Sequence, residues 1–517
     1  MASTFSATPS STAHPPPARA QLLPTSPSAL ASSLETASFL LHADLPVAFP
    51  SETVYGLGAS ALSPLAVSRI FEAKGRPSDN PLIVHVGGRE MLEGLLPTTK
   101  EGKPAIPKMY EALMDRFWPG PLSLVFPLPH LDSKGKQRAD EEAEDYTPPR
   151  LTVAPAVMAG HPSLCIRMPS HPLARALLRH SNLPLAGPSA NLSSRPSPTS
   201  AAHVMHDLGE GRGVGAVLDG GECEVGVEST VVDYVEGEEE GKEGKVRVLR
   251  AGGVSVEEIE ACLEDAGFST ASSGEKDGEV QVYARDFRSS DLEASPTTPG
   301  MKYKHYAPGN AKVLLVKPVF TSPLSSVSEE ADAFPLPSLQ DLVQLTALTH
   351  AKVSVDEEGR TMEERFRVGV MLTDETLAAL GGTSSPVSPP SSDDSTITTT
   401  PAYDSLSLPP PPPSLFSNLS IGEDSNLPDL FSISLFSFPL GSQSRPVEAA
   451  QRLFSGLRLF DSLPVEGEED EKKKGVDLIL VEAVKEDGVG LAVMERVRKA
   501  AGGTERGGEM EFSVVQK

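Results

Sequence analysis

The sequence predicts a two-domain α/β protein, and three observations carry that prediction. Short apolar segments alternate with helical patterns from residue 31 to 266, as mixed layers of strand and helix require. The same alternation returns from 311 to 517. Between the two, residues 267–310 lose periodicity and gather Pro and Gly near their end, as a linker does.

Taken in order, residues 1–30 are rich in Ser, Pro and Ala and are expected to be a disordered tail. Leu34–Leu41 has a helical pattern and leads to an apolar strand, Leu45–Phe49. Ser68–Ala73 and Met109–Phe117 read as helices, Leu82–Val86 and Leu122–Phe126 as buried strands. Charged residues 131–149 read as an insertion. The order resumes with strand Ser163–Met168, helix Pro172–His180, strand Leu185–Ala186 and helix Ala201–Leu208. Strands Ala216–Leu218, Ser229–Asp233 and Val246–Arg250 follow, and helix Val256–Ala266 closes the first unit. In the second, strands are expected at Lys312–Val316, Arg367–Leu372, Phe431–Phe438 and Val476–Val481, with helices at Val447–Phe460 and Gly490–Ala501. A Ser/Thr/Pro-rich tract at about 381–428 interrupts it and cannot bury enough apolar surface to fold alone.

The 517 residues carry a formal net charge of -26, with 39% hydrophobic and 5% aromatic residues. Such acidity argues against strong nucleic-acid binding, which needs a local excess of Lys and Arg. The acid is concentrated in candidate solvated segments, such as Glu236–Glu240 and Glu466–Glu471, whereas Leu45–His130 is balanced. Cys165, Cys223 and Cys262 are far apart and form no CxxC pair, which fits a reducing, cytoplasmic setting. No apolar run approaches the roughly 20 residues of a membrane helix. The start lacks a secretory pattern; its one Arg and absence of acid are weak signs of a mitochondrial leader.

Three segments can carry chemistry. Phe49–Gly58 follows a strand directly and presents Ser51, Glu52, Thr53 and Tyr55 where α/β sheets place ligands. Lys74-Gly75-Arg76-Pro77-Ser78-Asp79-Asn80-Pro81 sets a point charge and a planar fork around a glycine, a combination suited to phosphate. Gly187-Pro188-Ser189-Ala190-Asn191 places Ser189 and Asn191 on one face if extended. Gly209–Gly215 lacks the GxGxxG spacing, and no GxxxxGK[ST] loop exists, so an ATP site here needs another architecture. No His/Asp/Glu cluster has metal-ligand spacing. His85, in an apolar strand, reads first as a core histidine.

Together these segments resemble the YrdC-like threonylcarbamoyl-AMP synthase family. The resemblance rests on Lys74/Arg76 with Ser189/Asn191, the Glu52–Gly58 loop, Trp118–Leu122, Arg167-Met168-Pro169, Gly226–Thr230 and Leu249–Gly252, and covers roughly Ser33–Ala266. The linker motif Pro299–Pro308 resembles the long form of the family, in which a smaller Rossmann-like domain follows a YrdC-like mixed twisted sheet. Ser51 stands where Thr is more usual.

The resemblance implies that threonine, bicarbonate and ATP, with Mg2+, give threonylcarbamoyl-AMP and pyrophosphate, the adenylate passing to a tRNA threonylcarbamoyltransferase. It implies Lys74 and Arg76 as the catalytic cations, and Asn80, Ser163, Ser189, Asn191, Ser197, Arg250 and Tyr306 as further nucleotide contacts. For threonine it implies Thr53, His85, Arg167, Gly187 and Ser229. No protein side chain is expected to ligate a metal. Two other readings are a nucleic-acid-binding module, which should carry a basic stripe, and a carbamoyl-adenylating maturation factor, which should carry CxxC zinc motifs.

Overall fold

The computed structural model describes residues 14–129, 131, 145–236, 244–268, 280–283, 286, 289, 292, 296–298, 306–309, 311–321, 337–339, 341–343, 346, 364–380, 406–407, 431–463, 475–502 and 510–515. The chain divides into two compact units. The first holds Met1–Ser193 and Ser197–Lys302, the second Ser194–Pro196 and Tyr303–Lys517. The charged insertion lies outside the described residues from 132 to 144, as does the Ser/Thr/Pro-rich tract except for Leu406–Ser407.

The first unit is built on a mixed sheet. Its strands are β1 (Gln21–Leu23), β2 (Val47–Phe49), β3 (Gly56–Ser60), β4 (Val84–His85), β5 (Thr98–Thr99), β6 (Leu122–Pro127), β7 (Tyr146–Thr147), β8 (Ser163–Arg167), β9 (Leu185–Ala186), β10 (Ala216–Leu218), β11 (Thr230–Val235), β12 (Lys245–Arg250) and β13 (Val280–Val282). The sheet order is β1-β10-β2-β3-β9-β4-β8-β6-β11-β12-β13, with β5 and β7 paired apart. Pairing mixes parallel contacts such as β4–β8 and β6–β11 with antiparallel ones such as β2–β3 and β6–β8.

Local chemistry sets the helix ends. Ser63 accepts from Ala66 N and Pro64 opens the helix Pro64–Lys74, which Gly75 stops at φ +59. Ser255 and Glu258 form a capping box at Val256–Asp265. The helices Leu30–His42 and Pro172–Ser181 bury Ala37, Leu41, Ala174, Leu177 and Leu178 against Val47, Phe49, Leu185 and Leu218 of the sheet. This apolar block holds β2 and β9, the two strands from which the Ser51–Tyr55 and Gly187–Asn191 segments leave.

Among the differences from the sequence reading, three lie in strands of the first unit's main sheet. Gln21–Leu23, inside the expected tail, forms β1 and pairs in parallel with β10. Val280–Val282, inside the expected linker, adds β13 to the other edge. Both are three residues long, too short to show periodicity on their own. The end of the Phe49–Gly58 segment, from Gly56, is strand β3 rather than loop.

The second unit carries a six-stranded sheet, order β16-β17-β15-β18-β14-β19. Its members are β14 (Lys312–Thr321), β15 (Glu364–Thr373), β16 (Leu406–Ser407), β17 (Phe431–Gly441), β18 (Leu478–Glu482) and β19 (Met510–Val515). All pairs are parallel except β16–β17, and the helices Pro446–Ser462 and Gly490–Ala500 pack with them, a Rossmann-like arrangement. Val316, Val368, Val370, Leu478, Leu480 and Phe512 form its core. Among the described residues, no helix is long and apolar enough to cross a membrane.

Candidate active site

The strand register assembles the first group of residues. His85 in β4 pairs with Arg167 in β8, and Arg167 pairs with Ser123 in β6. Directly paired residues share a sheet face, so three neighbouring strands aim His85, Arg167 and Ser123 the same way. Ser123 Oγ lies 2.7 Å from Ser229 Oγ, which brings in the residue just before β11. Arg250 in β12 donates to Ser229 O at 2.9 Å and to Ser229 Oγ at 3.2 Å.

The loop between β2 and β3 closes over Arg167. Arg167 Nη1 donates to Thr53 Oγ1 at 2.8 Å, Nη2 to Glu52 Oε1 at 2.6 Å and Nε to Gly120 O at 3.1 Å. Ser51 Oγ sits 2.8 Å from Thr53 Oγ1 and donates to Val54 O at 2.6 Å, so this serine serves the turn itself. Burial pushes the Glu52 carboxyl up, but the Arg167 guanidinium and backbone donors more than offset this and hold it below its ordinary value. A second loop is sewn on. Val225 N donates to Glu52 O, Gly226 N to Thr53 O, and Tyr55 OH bonds both Gly221 O and Gly220 N. Burial raises the Tyr55 phenol far above its ordinary value, so it stays protonated.

His85 is buried beside Gly187. A Cβ on Gly187 would stand 3.0 Å from His85 Nδ1, and the Phe49 ring meets the imidazole edge-on at 5.5 Å. His85 Nδ1 is buried with no hydrogen-bond partner, an atom suited to a ligand. Burial, then the charge of Arg167, pushes its pKa down to about 3, so the ring is neutral.

The phosphate-type residues form a second group. Lys74 ends its helix with its ammonium donating to Ser189 O and Asn191 O, and Ser193 N returns a bond to Lys74 O. The Ser189 segment is held on the β3 side by the Gly56–Ser189 bridge and by Leu57 N on Pro188 O. Arg76 turns back on its own loop, donating to Pro81 O at 3.2 Å, beside the buried Asn80. Ser197 donates to Glu228, a buried carboxylate that directly precedes Ser229.

The structure therefore joins Thr53 to Arg167, His85 to Gly187, Lys74 to Ser189 and Asn191, and Ser229 to Arg250. Ser163 stands apart from Arg167, at the opposite end of β8. Tyr306 lies in the second unit, its ring 5.3 Å from Phe454 and under the Arg496 guanidinium. Lys302, Lys304 and His305 of the linker motif lie outside the described residues. Sequence reasoning quoted Glu52 and Glu228 in motifs but gave them no role. Their burial beside Arg167 and Ser197 becomes visible only in three dimensions. Among the described residues, no three His, Cys, Asp or Glu side chains come together as metal ligands.

Comparison with known proteins bears on the whole chain. Residues 40–252 match a family model described as telomere recombination, and residues 254–502 match one described as threonylcarbamoyl-AMP synthase, C-terminal domain. The threonylcarbamoyl-AMP synthase of Schizosaccharomyces pombe is 35% identical over 490 residues, covering 92% of this chain and 90% of the relative. The chain belongs to the threonylcarbamoyl-AMP synthase family. The Bacillus subtilis member is 34% identical over 90% of this chain and 92% of its own. The solved structure of Pyrococcus abyssi Sua5 complexed with L-threonine is similar over 93% of this chain and 96% of that one, with a TM-score of 0.56 and 31% identity. The chain is thus an enzyme of the long, two-domain form, and the near-complete span disfavours a maturation factor that shares one domain alone.

Proposed function

We propose that the enzyme forms threonylcarbamoyl-AMP from L-threonine, bicarbonate and ATP, releasing pyrophosphate, for the threonylcarbamoyl modification of tRNA adenosine. The observation that carries this reading is the buried Arg167–Thr53 pair aligned across the sheet with His85. An amino acid fits there by its carboxylate on the guanidinium and its hydroxyl near the neutral imidazole and Ser229.

The chemistry balances in two steps. The threonine amine adds to CO2 derived from bicarbonate and loses a proton, giving a carbamate. A carbamate oxygen then attacks the α-phosphorus of ATP, and the bond to the β-phosphate bridging oxygen breaks to release pyrophosphate. Two anions must meet, so fixed cations are needed. Lys74 and Arg76 supply them, with Asn80, Ser163, Ser189, Asn191, Ser197 and Arg250 as nucleotide contacts. Mg2+ enters this reading as an ion carried by the triphosphate, where it would neutralise charge. Positioning carries much of the rate. A cytoplasmic location is supported by three free, buried cysteines, and the product would pass to a tRNA threonylcarbamoyltransferase.

The test is pyrophosphate release from ATP with mass detection of the adenylate. Release is expected only with threonine and bicarbonate together, and equal release without threonine would overturn the assignment.

A further inference from the structure

We propose that Glu52 is the positioning residue that aims the Arg167 fork at the carboxylate of the amino-acid substrate, a role that rests on the threonine reading above. A guanidinium has five N–H donors. Three in Arg167 are committed, one each to Gly120 O, Thr53 Oγ1 and Glu52 Oε1. This leaves one N–H on each terminal nitrogen, the number an end-on carboxylate pair requires.

Glu52 is itself held fast. Ser170 N donates to its Oε2 at 3.2 Å, and its backbone O accepts Val225 N at 2.7 Å. Both side chains of the pair are 4% exposed. Arginine is a long side chain with many rotamers, and ordering it on binding would weaken affinity. Glu52 removes that freedom in advance. Thr53, the next residue, takes the other terminal nitrogen, so one short loop fixes both prongs of the fork. Two titratable neighbours carry no charge that competes for the guanidinium. His85 is neutral, and the Cys223 thiol, raised by burial, is protonated.

A purely structural ion pair makes a different prediction. It would lower stability on removal and affect threonine and ATP alike. The experiment uses the full chain with E52Q, which keeps the shape and removes the charge. Steady-state pyrophosphate release gives kcat and both KM values, and calorimetric titration compares L-threonine with L-threoninamide, which lacks the carboxylate. The KM for threonine is expected to rise about tenfold or more, with kcat and the KM for ATP changing less than about twofold. The parent is expected to prefer threonine over threoninamide, and E52Q to lose most of that preference. E52D, which keeps the charge, is expected to recover part of it. A parent-like KM for threonine in E52Q, or an undiminished preference between the two ligands, overturns the positioning role. If E52Q does not fold, E52D is compared with the parent: a rise in KM confined to threonine is expected, and no rise, or an equal rise in the KM for ATP, overturns the positioning role. A parent that binds no threonine overturns the substrate reading itself, and the positioning role with it.

Discussion

Replacing Lys74 with Met separates two roles that the site gives to one side chain. Lys74 is 3% exposed, and its ammonium donates to Ser189 O and Asn191 O. Met keeps an unbranched stem and removes the ammonium. Two buried carbonyls then lose a donor, at about 1–3 kcal/mol each. Part of this is offset because a buried charge no longer has to be desolvated, leaving a net loss of about 2–4 kcal/mol. For a domain of this size each kcal/mol moves Tm by roughly 2–4 °C, so a fall of about 5–15 °C is expected. Turnover should fall more than about tenfold, or ~1.4 kcal/mol in barrier, because the cation proposed beside the phosphates is gone. Thermal unfolding followed by circular dichroism gives the first quantity. Pyrophosphate release, assayed well below the variant's Tm, gives the second. A variant melting within about 2 °C of the parent would show that the two carbonyls do not need the ammonium, and the clamp would be wrong. Near-normal turnover in a folded variant would remove Lys74 from the chemistry.

His85 has a folded pKa of about 3, below its ordinary 6.5, so only the unfolded chain takes up its proton between these values. Stability should therefore fall as pH drops through this window, and His85→Gln should flatten the decline of Tm with pH; equal slopes for parent and variant would contradict the buried neutral ring. Glu52 acts lower, below 4.5, where protonation of the paired carboxylate removes the stability it contributes at higher pH. Tyr55→Phe should cost about 1–2 kcal/mol, because the phenol bonds Gly220 N and Gly221 O, and denaturant titration showing no change would mean the second loop is held by its backbone bonds alone.

The fold was legible wherever side chains alternate over enough residues. Strands such as Leu122–Pro127 and Ser163–Arg167, and helices such as Ala201–Leu208, lie within a residue or so of their expected bounds. β3 was not legible, for a steric reason. Its Gly56 and Gly58 lie under the Phe49 ring, and a Cβ there would approach ring atoms to 2.9 Å and 2.7 Å. The strand must be glycine-rich to pack, and glycine leaves no hydrophobic period to read. β19 shows the converse. Phe512 and Val514 alternate and are buried in the second core, a signal the sequence contained and that a reading of the last residues for strand period would have found.

The site divides along the same physical line. Candidates that stand out by their own type and neighbours, such as Lys74 and Arg76 around a glycine, could be named from composition and motif. Residues whose role depends on a partner far away in sequence could not. Glu52 and Arg167 are 115 positions apart and meet at 2.6 Å only because β2 and β8 lie in one sheet. In isolation Glu52 is one carboxylate among 71 acidic residues. Its burial distinguishes it, because a carboxylate removed from water is retained only where something of opposite charge and fixed geometry compensates it. That compensation works both ways. The group that makes Glu52 tolerable inside the protein is also the group that Glu52 holds in place for the substrate. A loop readable in sequence as hydroxyls, a carboxylate and a phenol together therefore acts, on this proposal, through its one buried charge.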